Sequence, residues 1–285
     1  MMHGMTCVLH PADRLCAAID RVGSPLCVGL DPVQAKFSPE LQGLQPLESF
    51  EIFCKGVIDS VSGIAASVKF QSACFERLGA KGVALLGELR QNASDCGLQV
   101  ILDAKRGDIG ISAEHYAASA TADGPCDWIT VNPYLGIDSI EPFLDAGLGV
   151  YCLARTSNPS GDAIQKQLLE DGRTVAQSVA DLLAVCGGKY VGFSGWSSLG
   201  AVVGATKPEE AVQLRKRMPQ QMFLMPGIGA QGATAESVTS CFGDGHGALA
   251  TASRSVIYPP QNENWQTDIA HAAKKLASEL QVGMT

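Results

Sequence analysis

The segment LDAKRGDIG, Leu102–Gly110, sets Asp103, Lys105, Arg106 and Asp108 directly after the apolar run LQVI. Charges at the end of a buried strand cost several kcal/mol unless they are paired or put to use. Residues two apart in a strand share a face, so Asp103 and Lys105 point one way while Leu102 and Ala104 point the other. Arg106 falls away from the Asp103/Lys105 face, where surface pairing is its expected role. Asp108 follows in a loop where Gly107 allows a sharp turn. Lys69, in SVKFQ, closes another apolar run and is expected at similar height on the neighbouring strand. An alternating array of Lys69, Asp103, Lys105 and Asp108 in a partly dehydrated pocket keeps each lysine protonated and each aspartate ionised. Such lysines act as fixed cations rather than as amine nucleophiles, which counts against a Schiff-base aldolase. The plainer reading is a salt-bridge network that joins two strands. It suits a lone Asp–Lys pair better than four ionisable groups gathered at adjacent strand ends.

Other signals point to an anionic ligand. MPGIGAQG, which contains Gly229 and Gln231, offers glycine-permitted backbone amides after a strand, a suitable anion cradle. Arg254 in ATASRS adds a planar donor fork of the kind that grips phosphate. Ser157 and Asn158 in ARTSNPSG lie in a loop long enough to close over a ligand, although ordinary Asx-Pro turn chemistry explains them equally well. His115 and His246 have no spacing that supports a metal site.

These residues need elements to position them. Short apolar runs recur as PLCVGLD, AASVKF, LQVILDAK, WITVN, GVYCLA, LGAVVGA, MFLMP and GALATAS, and amphipathic stretches such as LESFEIFCKGVIDSV and KPEEAVQLRKRM separate them. Strands that are apolar on both faces and alternate with helices indicate a parallel sheet. Eight such units predict a single-domain (β/α)8 TIM barrel over residues 1–285, with Tyr190–Phe193 as a competing strand. The first strand lacks the G-x-G-x-x-G of a dinucleotide-binding fold. In a barrel, Asp31, Lys69, Asp103, Lys105, Asn132, Ser157, the GIGAQG loop and Arg254 all fall at C-terminal strand ends, on the face where barrel active sites are built.

Composition sets outer limits. The 285-residue chain is 46% hydrophobic and 18% charged, with a formal charge of −8 and a pI near 5.1. Its basic clusters are short, so a nucleic-acid surface is not expected, and an anionic ligand needs a local site because the overall field repels it. Ten cysteines include no C-x-x-C pair and are expected as reduced, structural thiols. The N-terminal residues lack the features of a signal peptide, and no apolar run approaches the roughly 20 residues of a membrane span. A cytoplasmic location is the expectation.

LDAKRGDIG with its D-x-K-x-x-D, together with SVKFQ, GLD, TSNPS, VVGAT, PGIGAQG and SRS, resembles the orotidine 5′-phosphate decarboxylases, specifically their longer bacterial branch. The matches run in order from about Leu26 to Tyr258. The resemblance implies decarboxylation of orotidine 5′-phosphate to UMP without a cofactor. Lys105 would lie beside C6 of the pyrimidine and donate its proton, and Asp103 would lie against the departing carboxylate. Lys69 and Asp108 would complete the tetrad and, with Asp31, meet ribose hydroxyls. Ser157 and Gln231 would close over pyrimidine and phosphate, Arg254 would hold the phosphate, and Ser112 would supply a hydroxyl where the family often has threonine. A homodimer is implied, with Asp108 donated across the interface. Three other readings remain open at this stage: a related barrel that handles a keto-sugar phosphate with Mg²⁺, a Schiff-base aldolase using Lys69 or Lys105, which the flanking aspartates disfavour, and a non-catalytic nucleotide-binding barrel.

Overall fold

The computed structural model describes residues 9–229, 232–242, 245–260 and 264–282. Eight parallel strands close into a barrel in sequence order: β1 Leu26–Leu30, β2 Ser67–Gln71, β3 Gln99–Arg106, β4 Trp128–Val131, β5 Gly149–Arg155, β6 Ser197–Val203, β7 Gln221–Pro226 and β8 Ala248–Ala252. Each coincides with one of the eight apolar runs. The competing segment is instead a 3-10 turn, Gly188–Tyr190, followed by an isolated antiparallel bridge from Val191 to Ser197.

Around the barrel run α2 Pro46–Val61, α3 Ala80–Asp95, α4 Gly110–Ala122, α5 Glu141–Asp145, α6 Val175–Gly187, α7 Pro208–Arg217, α8 Glu236–Thr239 and α9 Trp265–Val282, all after α1 Pro11–Val22. Local chemistry sets several ends. Thr174 and Gln177 form a reciprocal capping box at the start of α6. In α7, Pro208 opens the helix, Glu209 and Glu210 sit in its first turn, and Arg215–Arg217 fill its last, each matched to the helix dipole.

The core has two layers. Outside the sheet, Phe50, Phe53 and Val57 of α2 and Leu85 and Leu89 of α3 pack against Val28, Val68 and Val100. Inside, Cys27, Ile101, Trp128, Tyr151, Met222 and Leu249 fill the barrel. This inner layer is sealed at the N-terminal ends of the strands by α1, whose Leu15, Cys16 and Ile19 pack into it. Asp13 of α1 accepts the amides of Phe193 and Ser194 at 3.1 and 2.8 Å, and Arg14 pairs with Asp127 at 3.0 Å. The barrel is therefore stoppered at that end, and its polar interior positions gather at the other.

Register decides which side chains meet there. Gly29 on β1 faces Lys69 on β2, Lys69 faces Ile101 on β3, and Gln71 faces Asp103. The β3–β4 ladder shifts register between Leu102 and Arg106, a bulge at the segment that carries the charges. Nine cysteines are free thiols among the described residues, six of them buried, and burial pushes the Cys27 thiol up to about 11. Among the described residues, no helix is long and apolar enough to cross a membrane.

Candidate active site

At the C-terminal ends of the strands lies a pocket of about 270 Å³. Its charged wall is one chain of ion pairs. Asp31 Oδ1 lies 3.7 Å from Lys69 Nζ, Lys69 Nζ is 2.7 Å from Asp103 Oδ2, and Lys105 Nζ is 2.6 Å from Asp103 Oδ1. Gln71 Nε2 donates to Asp103 Oδ2 at 3.4 Å, and the Thr130 hydroxyl donates to Oδ1 at 2.9 Å. Both carboxylate oxygens of Asp103 are thus already taken by donors.

Burial grades this array. The Lys69 side chain is 7% exposed and that of Lys105 is 47% exposed. Burial works to discharge the Lys69 ammonium, but the carboxylates of Asp103 and Asp31 outweigh it and hold its pKa above the ordinary lysine value. Burial likewise opposes ionisation of Asp103. The ammonium groups of Lys69 and Lys105 prevail and hold its carboxyl below the usual carboxylate range. Lys69 is the fixed, enclosed cation, while Lys105 is the one presented to the pocket.

The same pocket holds the phosphate-type features. Arg254, at the start of the short helix Arg254–Ile257, lines it together with Pro226 at the end of β7 and Gly227 and Ile228 beyond it. The Arg254 guanidinium makes no ion pair among the described residues. Gly229, just beyond, has φ 73°, and a Cβ there would lie 2.6 Å from Ser255 Oγ, so glycine is required. Its amide donates to the Ala233 carbonyl at 2.9 Å, which keeps it within its own loop in this conformation. Gln231 lies outside the described residues.

Ser157 and Thr156 line a third side. Their loop is anchored by Arg155, whose buried guanidinium meets Glu210 at 2.5 Å, Asp162 at 2.7 Å and Gln165 Oε1 at 2.9 Å. Gln165 Oε1 also accepts the Thr156 amide at 2.9 Å. Gly204 lets the loop pack closely, since a Cβ there would lie 2.9 Å from Ser157 Cα.

Three expectations change. The alternating array within one chain is Asp31–Lys69–Asp103–Lys105, because Asp108 stands apart. Its Oδ1 accepts the neighbouring Ile109 amide at 2.9 Å, and it makes no ion pair among the described residues. The reason is the bulge, which turns the chain away immediately after Lys105. The left-handed residues of that turn are Lys105, at φ 46°, and Gly110, at φ 55°, not Gly107. Gly107 instead packs closely: a Cβ there would come within 3.3 Å of the Asn132 carbonyl oxygen and Cβ, a tight contact. Ser112, in the first turn of α4, is half-buried and does not line this pocket.

Arg106 points away as expected and pairs with Glu76 at 2.9 Å. His246 pairs with Asp20 at the stoppered end, and His115 is exposed on α4. Gln71, Thr130, Thr251 and Ser253 also line the pocket and were not singled out in the sequence. Alternation was the signal available, because Thr130 and Thr251 occupy inward positions of β4 and β8.

The sequence profile of the orotidine 5′-phosphate decarboxylase / HUMPS family matches residues 24–256. The chain belongs to that family. Members resembling it include the orotidine 5′-phosphate decarboxylase of Rhodopirellula baltica, at 39% identity over 94% of this chain and 98% of that one. The Bordetella avium protein of the same name is also 39% identical, over 90% and 93% of the two chains. Among solved structures, Leishmania donovani OMP decarboxylase is 31% identical with a TM-score of 0.77, covering 97% of this chain and 99% of that one. Leishmania donovani UMP synthase is 33% identical with a TM-score of 0.82, and there the match spans 57% of that longer chain. The (β/α)8 architecture of this family member is thus shared with decarboxylase structures of known sequence similarity.

Proposed function

We propose that the whole chain acts as one catalytic barrel domain that converts orotidine 5′-phosphate to UMP and CO₂, the last step of pyrimidine nucleotide synthesis. The observation that carries the reading is the Lys105 ammonium, held 2.6 Å from a buried carboxylate in a pocket that is also lined by Arg254, which makes no ion pair among the described residues. The C6–carboxylate bond breaks, its electron pair remains on C6, and CO₂ departs. The resulting carbanion has no adjacent carbonyl positioned to delocalise it, so the fixed charge of Lys105 stabilises it and a Lys105 proton quenches it at C6. Asp103 faces the departing carboxylate. Lys69 and Asp31 meet ribose hydroxyls, while Arg254 holds the phosphate with the Gly229 loop. Ser157 and Gln231 close over the ligand. Binding energy gathered at the phosphate, remote from the reacting carbon, helps drive that closure.

The Mg²⁺-dependent sugar-phosphate alternative fits less well, because a dication would have to displace the ammonium and hydroxyl donors that occupy both oxygens of Asp103. The working unit in this reading is a homodimer in which Asp108 completes the partner's site. The exposed apolar side chains of Ile109, Ile111, Tyr134 and Leu135 beside that loop support it. The free thiols suit a reducing compartment, and we place the enzyme in the cytoplasm.

Purified protein added to orotidine 5′-phosphate in the presence of EDTA should remove the orotate absorbance and yield UMP. Tight UMP binding without turnover would instead mark a non-catalytic barrel.

A further inference from the structure

Lys105 has φ 46° and is the one non-glycine residue with positive φ among those described. A left-handed backbone is unfavourable for an L-residue and persists only where its surroundings enforce it. The bulge between Leu102 and Arg106 interrupts the β3–β4 ladder here. In its place, the Lys105 amide donates to a side chain, the hydroxyl of Thr130, at 3.0 Å.

That hydroxyl is fully committed. Thr130 is 1% exposed, and its Oγ1 donates to Asp103 Oδ1 at 2.9 Å. A hydroxyl carries one proton, so accepting from the Lys105 amide directs that proton to the carboxylate. Asp103 Oδ1 also accepts the Lys105 ammonium at 2.6 Å. The result is a closed ring: Lys105 backbone to Thr130 hydroxyl, hydroxyl to Asp103, and Asp103 to the Lys105 side chain. One residue on β4 ties both ends of Lys105 to the same carboxylate oxygen.

We propose that Thr130 is a positioning residue for Lys105, holding its strained backbone and its ammonium in the one geometry that serves proton transfer. The proposal rests on the reading of Lys105 as proton donor. It separates hydroxyl from methyl: Thr130→Ser keeps the ring, whereas Thr130→Val keeps the shape and breaks the ring.

The test compares both variants with wild type and Lys105→Ala for kcat, KM and UMP affinity. Thr130→Val should lose at least ~10-fold in kcat while KM and UMP affinity stay within about threefold, the pattern of an interaction that matters to the transition state rather than to binding. Thr130→Ser should stay within about threefold of wild type. If Thr130→Val does not fold, Thr130→Ala takes its place against Thr130→Ser. Equal kcat in the hydroxyl and hydroxyl-free variants overturns the proposal. So does a loss confined to KM. A Lys105→Ala enzyme that turns over like wild type would remove the catalytic reading itself, whereas a dead Lys105→Ala beside a fully active Thr130→Val removes only the role of Thr130.

Discussion

Lys105 ends a chain of four alternating charges, and Asp103 is the link it shares with Lys69. Lys105→Ala should nearly abolish turnover, by at least ~10²-fold, while the protein folds and binds UMP. Single-turnover assays with UMP calorimetry check this, and activity within about tenfold of wild type would remove the assignment. Arg254 has the opposite part in the proposed reading, as the phosphate ligand. Arg254→Ala should chiefly weaken substrate binding, with part of the loss recovered by added guanidinium. Unchanged affinity for orotidine 5′-phosphate would show that the phosphate is held elsewhere. The buried Lys69–Asp103 pair carries a pH signature. Asp103 is held below its ordinary pKa, so its contribution to stability is present above about pH 3.9 and lost as pH falls further. Lys69 is held above its own, so its contribution is present below about pH 10.4 and lost as pH rises further. Urea denaturation across pH should therefore show both limbs flatten in a Lys69→Met/Asp103→Leu double variant. Limbs as steep as in wild type would show that the pair contributes no proton linkage.

Among the elements, β3 with the turn into α4 does the most. It places Asp103 and Lys105 inward, then bends so that Asp108 leaves its own pocket. Lys105→Ala and Asp108→Ala chains, each expected to be inactive alone, should regain activity when mixed under subunit exchange. A mixed dimer would contain one site with both native residues. A dead mixture, with mixed dimers confirmed by native mass spectrometry, would refute the shared site. The eight strands were legible because each is a short apolar run with charged or small polar residues at its end. Helix α4 was not, since its buried face is only Ala113, Ala117 and Ala120, which contrast weakly with their neighbours. Helix α1 was not among the predicted segments either, although Leu15, Cys16 and Ile19 have helical spacing. The left-handed backbone of Lys105 had no signal, as lysine is not a residue that invites that conformation. Nor does spacing reveal which subunit an aspartate serves.

For the whole molecule, the stopper formed by α1 separates the working end from the ends of the described chain. Leu9 precedes α1, and near the close of α9 Gln281 Nε2 donates to the Gly23 carbonyl at 2.6 Å, beside the C-terminal cap of the same helix. Both places therefore lie at the closed base, a barrel's depth from Lys105 and Arg254. A tether at either place would hold the enzyme upright, mouth outward. Protein captured on a bead through a linker at either end should keep the kcat/KM it has in solution, whereas capture through a cysteine introduced at Tyr134, beside the exposed apolar loops at the mouth, should depress it. Equal losses from all three attachment points would mean that the base is not the neutral handle its distance from the pocket makes it.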